Sequence, residues 1–207
     1  MSKSKAQDRR EHIARMRADD KRRERRVALL SWGIGGLVIV ILVGLVGVYL
    51  VQQRQGSDLG AVQTFKYKGG VHKEEAIKYP ETPPVGGDHA PPPKWQNCGI
   101  YDQPISSESA VHSLEHGAVW ITYRPDLAKD QVDALRSVVG TQTYILLSPF
   151  QGLPSPIVLS SWNKQLKIEK ADDPRIRAFI KEFKNGPETP EPGAACSQGV
   201  GTPLPPV

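Results

Sequence analysis

A chain of 207 residues, 39% hydrophobic and 24% charged, has the length of one domain plus an accessory segment. Its net charge of +5 is unevenly placed: residues 1–26 hold eleven Lys/Arg against five Asp/Glu, a balance of +6, and residues 27–51 hold none. Residues 52–207 are therefore left with −1, which excludes a nucleic-acid partner for most of the chain and confines polycation chemistry to the arm.

After the arm, Val27 to Val51 reads VALLSWGIGGLVIVILVGLVGVYLV, 25 residues without a charge. A helix of that length spans a hydrocarbon core of about 30 Å with some tilt. The run is longer than a signal peptide's apolar core and leads into Gln52, Gln53 and Arg54, so an uncleaved anchor is expected. Because the basic block lies before the helix, the N-terminus is placed in the cytoplasm and the rest of the chain outside, as a single-pass protein of the cell membrane. Trp32 and Tyr49 stand near the two ends, where amphipathic rings favour the interface. The arm fixes orientation on one reading and binds anionic head groups on another. Ser31 and Gly35 form a small-xxx-small pair at which a membrane-protein partner could pack.

Residues 52–63 read as a polar linker and Thr64–Tyr67 as a short strand closed by Gly69-Gly70. From Pro80 to Pro104 breakers are so dense that regular structure is not expected, yet His89, Trp95, Cys98 and Tyr101 lie inside the stretch and argue for order. Glu108–His116 is a short predicted helix capped by Ser106 or Ser107 and ended by Gly117. Ala118–Tyr123 is a buried strand by its β-branched and aromatic content. Leu127–Val139 carries apolar residues at helical spacing, and Tyr144–Ser148, Ile157–Trp162 and Gln165–Glu169 read as strands. Pro174 opens a last helix with Ile176, Phe179, Ile180 and Phe183 on one face. Residues 187–207 are Pro/Gly-rich and read as an extended tail. The fold class is α+β: an N-terminal transmembrane helix, then a small extracytoplasmic domain over 64–186 with helices packed on a mixed β-sheet. Cys98 and Cys196, both on the outer side, are expected to form a disulfide closing a loop of about 98 residues and tying down the tail.

Four of the five histidines fall between 72 and 116. His112 and His116 are four apart, so on a helix they share a face, with Glu115 in the same sector and Leu114 pointing to the core. Two imidazoles so placed can chelate one ion, with the carboxylate as ligand, base or orienter. His89 or His72 could supply a third ligand; His89 is the preferred one, with His72 and Tyr101 as candidates for the surrounding shell. The outer part has no methionine, so a thioether copper(I) site is excluded and zinc or copper(II) are the candidate ions. His112–His116 also matches H-x-x-E-H, the inverted zinc-peptidase pattern, but Gly117 and a strand follow at once where that chemistry needs a long helix. The other reading is that these histidines hydrogen-bond loop carbonyls in a buried corner.

Pro83-Pro84-Val85-Gly86-Gly87-Asp88-His89, then Cys98-Gly99-Ile100-Tyr101, then Val111-His112-Ser113-Leu114-Glu115-His116-Gly117, resemble the motifs of domain of unknown function family 3105. That family is found mostly in membrane-anchored actinobacterial proteins, and the resemblance covers about residues 60–185. Its first motif is nearer P-P-x-S-G-x-H, so Gly86 stands in place of a serine here and no hydroxyl role carries over. The resemblance implies an extracytoplasmic placement and makes the histidine motifs family features; it implies no reaction.

Three functions stay open at this point. The first is a membrane-anchored protein with a His-based metal site on His89, His112, His116 and Glu115. The second is a metal-dependent hydrolase or redox enzyme in which Glu115 takes a proton from bound water. The third is a metal-free interaction module of a membrane complex.

Overall fold

The computed structural model describes residues 2–56 and 58–205. Met1 of the expected arm, Ser57 of the expected linker and residues 206–207 of the expected tail lie outside the described residues. The chain divides into two compact units, Met1–Arg54 and Gln55–Val207.

The first unit is helix α1, which runs Ser2–Gly56. Its stretch Lys21–Val51 is long and apolar enough to cross a membrane. Every residue from 29 to 51 is exposed, including Trp32, Leu37, Val43 and Tyr49. A helix that is apolar all round and covers none of its surface is built for a nonpolar surrounding.

The second unit is built on one six-stranded sheet. In chain order its elements are β1 (Gln63–Thr64), β2 (Gly99–Ile100), α2 (Ser107–Glu115), β3 (Val119–Tyr123), α3 (Lys129–Val139), β4 (Ile145–Pro149), β5 (Ile157–Ser161), β6 (Lys164–Ile168) and α4 (Arg175–Phe183). The strand order is β1-β6-β5-β3-β4-β2. β4 runs parallel to both β3 and β2, while β5 and β6 form an antiparallel hairpin next to β3, so the sheet is mixed. The hairpin turns through Trp162 and Asn163, and Asn163 takes the left-handed conformation (φ 62°) that Asn tolerates.

Alternation along the strands sends apolar side chains to both faces. Val119, Ile121 and Tyr123 of β3, with Ile145, Leu147, Ile157 and Leu159, pack under Leu135, Val138 and Val139 of α3 and Ile176, Phe179 and Ile180 of α4. Trp120 and Leu146 point to the opposite face and pack with Ala110, Val111 and Leu114 of α2, and with Trp162 and Tyr101. Each such side chain, fully buried, contributes ~1.5–3 kcal/mol. The sheet is thus covered on both sides, by α3 and α4 on one and by α2 with its flanking loops on the other.

Two strands differ from expectation. β1 covers only Gln63–Thr64 rather than Thr64–Tyr67, because beyond it the Asn163 side chain takes over the pairing. Its Oδ1 accepts from the Tyr67 N–H at 2.7 Å and its Nδ2 donates to the Tyr67 carbonyl at 2.9 Å. β2 lies inside the breaker-dense run, where two residues are enough to join the sheet edge beside Leu146 and Leu147. The tail packs along that edge: the Leu204 N–H donates to the Ile100 carbonyl, and Cys98 and Cys196 are disulfide-bonded.

Candidate metal centre

Helix α2 exists because Ser106 starts it and Gly117 stops it. The Ser106 hydroxyl accepts from the Ser109 N–H at 3.2 Å, satisfying one of the free donors of the first turn. Gly117 has φ 104°, and a Cβ there would lie 2.1 Å from the Asn185 Oδ1, so only glycine lets the chain turn from α2 into β3. Between these stops, Ala110, Val111 and Leu114 face the sheet, and His112, Glu115 and His116 face the other way. That second face is not open to solvent: His112, Glu115 and His116 are each no more than 4% exposed.

What covers it is the loop 69–98 and the tail. His72 and His89 form a parallel β-bridge, closed by bonds from Lys73 N–H to the His89 carbonyl and from His89 N–H to the Val71 carbonyl. This sets the two imidazoles side by side over α2. The ring centroids of His72, His89 and His112 stand 4.8–5.3 Å apart. His72, His89, His112 and Glu115 each offer one donor atom, and those atoms all lie within 4.8 Å of one another. His72 is exposed and the other three are buried.

The hydrogen bonds fix which nitrogens are available. The Nδ1 of His112 lies 2.6 Å from the Ala90 carbonyl and that of His89 lies 2.9 Å from the Gly87 carbonyl. A carbonyl can only accept, so both rings carry their proton on Nδ1 and keep Nε2 for another partner. Backbone carbonyls on the outer nitrogen commonly orient metal-ligating histidines. The Nε2 of His89 is buried, and the Glu115 Oε2 lies 2.8 Å away, so this nitrogen has a carboxylate as its neighbour. The other oxygen, Oε1, accepts from the Gly70 N–H at 2.8 Å. A nitrogen lone pair and a carboxylate at that distance repel unless a proton or a cation lies between them.

The electrostatics match. Burial, reinforced by the neighbouring His116 and His89, pushes His112 down to about 4, so its imidazole is neutral at ordinary pH. Burial acts on His89 in the same direction, but the Glu115 carboxylate and the Gly87 carbonyl outweigh it and hold His89 above its usual value. Burial would raise Glu115, yet His89 and the Gly70 N–H bring it below the usual carboxylate range. The pocket therefore combines one neutral imidazole, one imidazole that favours positive charge, one ionised carboxylate and an exposed imidazole at the entrance. A tetrahedral shell with ion–donor distances of ~2.1 Å sets its donors ~3.4 Å apart, so a pair 4.8 Å apart would have to close by roughly 1.4 Å. His72, the exposed member, is the freest of the four to move.

The geometry assigns the expected residues differently from their spacing. His89, His112 and Glu115 come together, joined by His72, which the sequence offers as an alternative third ligand or a shell residue. His116 stands next to His112, with ring centroids 4.6 Å apart, but outside the group of four. Its Nδ1–H donates to the Ala195 carbonyl at 2.6 Å, and Glu191 lies 3.6 Å from its Nε2. As the C-cap of α2 His116 keeps helical backbone angles (φ −76°, ψ −5°), and it is the tail, reaching its ring, that occupies it. Tyr101 is spent elsewhere: its hydroxyl donates to the Asn97 carbonyl at 2.6 Å and its ring packs with Trp120. Spacing gave no signal for Gly70, where a Cβ would sit 2.3 Å from the His89 ring, or for Trp95, whose ring lies against His112 and His116.

The sequence model of a family described as "Protein of unknown function (DUF3105)" matches residues 71–198, which is more than half of the chain and includes every residue of this centre. A second family model, described as "Inhibitor of host cell division protein domain", matches residues 7–67, mostly helix α1. No curated protein matches the chain, and no solved structure matches it.

Proposed function

The chain belongs to the DUF3105 family of proteins of unknown function, and we propose that it is a single-pass membrane protein whose outer unit takes up one divalent transition ion on His72, His89, His112 and Glu115. The observation that carries this is the buried Nε2 of His89, 2.8 Å from the Glu115 carboxylate and flanked by two further imidazoles. Three imidazoles and one carboxylate form a donor set for zinc, with copper(II) next in chemical preference. Four protein donors fill a tetrahedral shell, which suits capture or structural holding of the ion.

The hydrolase reading asks more of Glu115. A general base needs a free carboxylate oxygen facing a bound water. Here Oε1 accepts from Gly70, and Oε2 lies beside His89, which favours the ligand role for Glu115 over that of a base.

The placement is supported by the apolar stretch of α1, by the basic arm before it, and by a disulfide that suits an oxidising compartment. On this reading residues 1–26 are cytoplasmic, 27–51 span the membrane, and the chain beyond is outside. Protease digestion of intact cells checks it: the outer unit should be cleaved while the arm survives.

The test of the ion is elemental analysis of the full-length chain, purified in detergent from an oxidising compartment and carrying no histidine tag. One equivalent of zinc or copper, lost in the His89→Ala/His112→Ala double variant, is the expected result. A metal-free protein in which the double variant only lowers thermal stability would reduce the cluster to a structural ion pair. Glu115→Gln separates the other readings: substrate turnover lost with metal retained would favour a hydrolase, whereas the capture reading expects metal affinity itself to fall.

A further inference from the structure

Residues 189–204 lie directly against the C-terminal end of α2. Glu191 N–H donates to the Glu115 carbonyl at 3.0 Å, and Gly193 N–H to the His116 carbonyl at 3.3 Å. The Ala195 carbonyl accepts from His116, and Glu191 brings its carboxylate to within 3.6 Å of the same ring. This segment thus satisfies the last carbonyls of the helix that carries His112 and Glu115, and orients the imidazole next to His112.

Little apolar burial holds it there. From residue 190 to residue 205 no position is buried. Its attachments are hydrogen bonds such as Val200 N–H to the Trp95 carbonyl and Asn97 N–H to the Val200 carbonyl, and the covalent link of Cys196 to Cys98. That link sits between the bonds to α2 and the bonds to the 95–100 segment. The same segment reaches α2 from the other side, since the Gln96 N–H donates to the Ser109 carbonyl and the Ser113 hydroxyl donates to the Gln96 carbonyl. Both cysteines are half-buried rather than sealed, and Cys98 lines a surface groove of about 190 Å³ with Ile100, Val139 and Leu204.

We propose that residues 189–204 are a strap over the metal centre, fastened by Cys98–Cys196, and that thiol–disulfide exchange with a dithiol controls how tightly the ion is held. This rests on the metal reading above. A thiolate of the dithiol attacks one sulfur of the pair, the S–S bond breaks, and a mixed disulfide forms. The second thiol then displaces the protein sulfur, leaving two cysteine thiols on the chain and a disulfide on the reagent, a two-electron exchange. The strap, no longer tied, withdraws the Ala195 carbonyl from His116 and the Glu191 and Gly193 N–H groups from α2. These bonds hold the end of the helix that carries Glu115 and not the donors themselves, so the expected weakening is at the low end of the 10- to 100-fold that partners bonded directly to metal ligands supply.

The experiment compares the full-length chain in detergent micelles in three forms: oxidised, reduced with a dithiol that is then removed under anaerobic conditions, and the Cys98→Ser/Cys196→Ser variant. The variant answers for any zinc held by free thiols. Zinc is titrated into each, and the imidazole N–H signal of His116 is followed by NMR as a metal-independent reading of the strap. The expected result is at least a tenfold fall in zinc affinity in both opened forms, loss of the protected His116 N–H, and recovery of both on reoxidation. An unchanged His116 signal in the opened forms overturns the strap whatever the zinc data show. A signal that is lost while zinc affinity stays the same overturns its control of the ion. If the oxidised chain binds no zinc at all, the metal reading fails, and control of an ion by the strap fails with it. A variant that does not fold is recognised by its circular dichroism, and the reversible reduction then decides.

Discussion

Lowering the pH should reveal His112 as a destabilising group in the metal-free protein. It is held at about 4 in the fold against an ordinary value of 6.5, because it is buried and lies beside two other imidazoles. The unfolded chain therefore takes up this proton first, and stability falls as pH drops through the interval between the two values. Integrating the linkage relation from pH 7 to 4.5 gives a loss of about 2 kcal/mol from this one side chain. His89 acts with the opposite sign: its folded value is raised, so its contribution is present in full well below 6.5 and is lost as pH climbs through and above it. That loss overlaps only the upper end of the interval and is common to both proteins compared. The carboxylates with lowered values, Glu115 and Glu108 among them, lose their contribution only as pH falls below about 4.5. The comparison is with His112→Asn, whose amide can still donate to the Ala90 carbonyl. Urea unfolding of both full-length proteins in detergent, with a chelator present, can be followed by the fluorescence of the buried Trp120 and Trp162. The stability gap between variant and wild type should shift by about 2 kcal/mol in favour of the variant between pH 7 and 4.5. Two pH curves that stay parallel would refute the argument, since they would mean that His112 titrates alike in the folded and unfolded chains.

Three further outcomes follow from the geometry. Opening the disulfide in Cys98→Ser/Cys196→Ser frees a sequence separation of 98 residues, and denaturant titration should show a loss of about 4–5 kcal/mol in the chain-entropy treatment. Gly70→Ala drives a methyl group into the His89 ring and the Gly87 carbonyl, so zinc stoichiometry by elemental analysis should fall, with ~1–3 kcal/mol of stability lost to overpacking. Leu114→Ala empties the sheet-facing side of the same helix, where Leu114 is fully buried, and should cost ~2–5 kcal/mol in thermal or urea unfolding while zinc still binds below the transition.

How far the sequence could be read depended on whether a feature was local. Helices α2, α3 and α4 and strands β3 to β6 are each announced by their own periodicity and stops, because a short element's apolar spacing and its capping residues lie within the element. The α+β class follows from those elements. What had no local signal was pairing. β2 is two residues in a proline-rich run and becomes a strand only because β4 presents an open edge to it. The same distinction divides the candidate centre. His112 and Glu115 were legible because they are three apart on a helix whose inner face is fixed by Val111 and Leu114. His72 is legible only as an alternative to His89 for a third ligand, since its place beside His89 comes from a single β-bridge between two loops, and no spacing rule foretells which loop will cross which. The i, i+4 rule that points to His112 points equally to His116, and it does bring the two rings within 4.6 Å. What the rule cannot show is that the tail occupies His116, through the Ala195 carbonyl and Glu191. The nearness of His116 to the Ala195 carbonyl, and so of the centre to the disulfide, arises from a contact between residues 79 apart. A single sequence holds no trace of that contact except the pair of cysteines that brackets it.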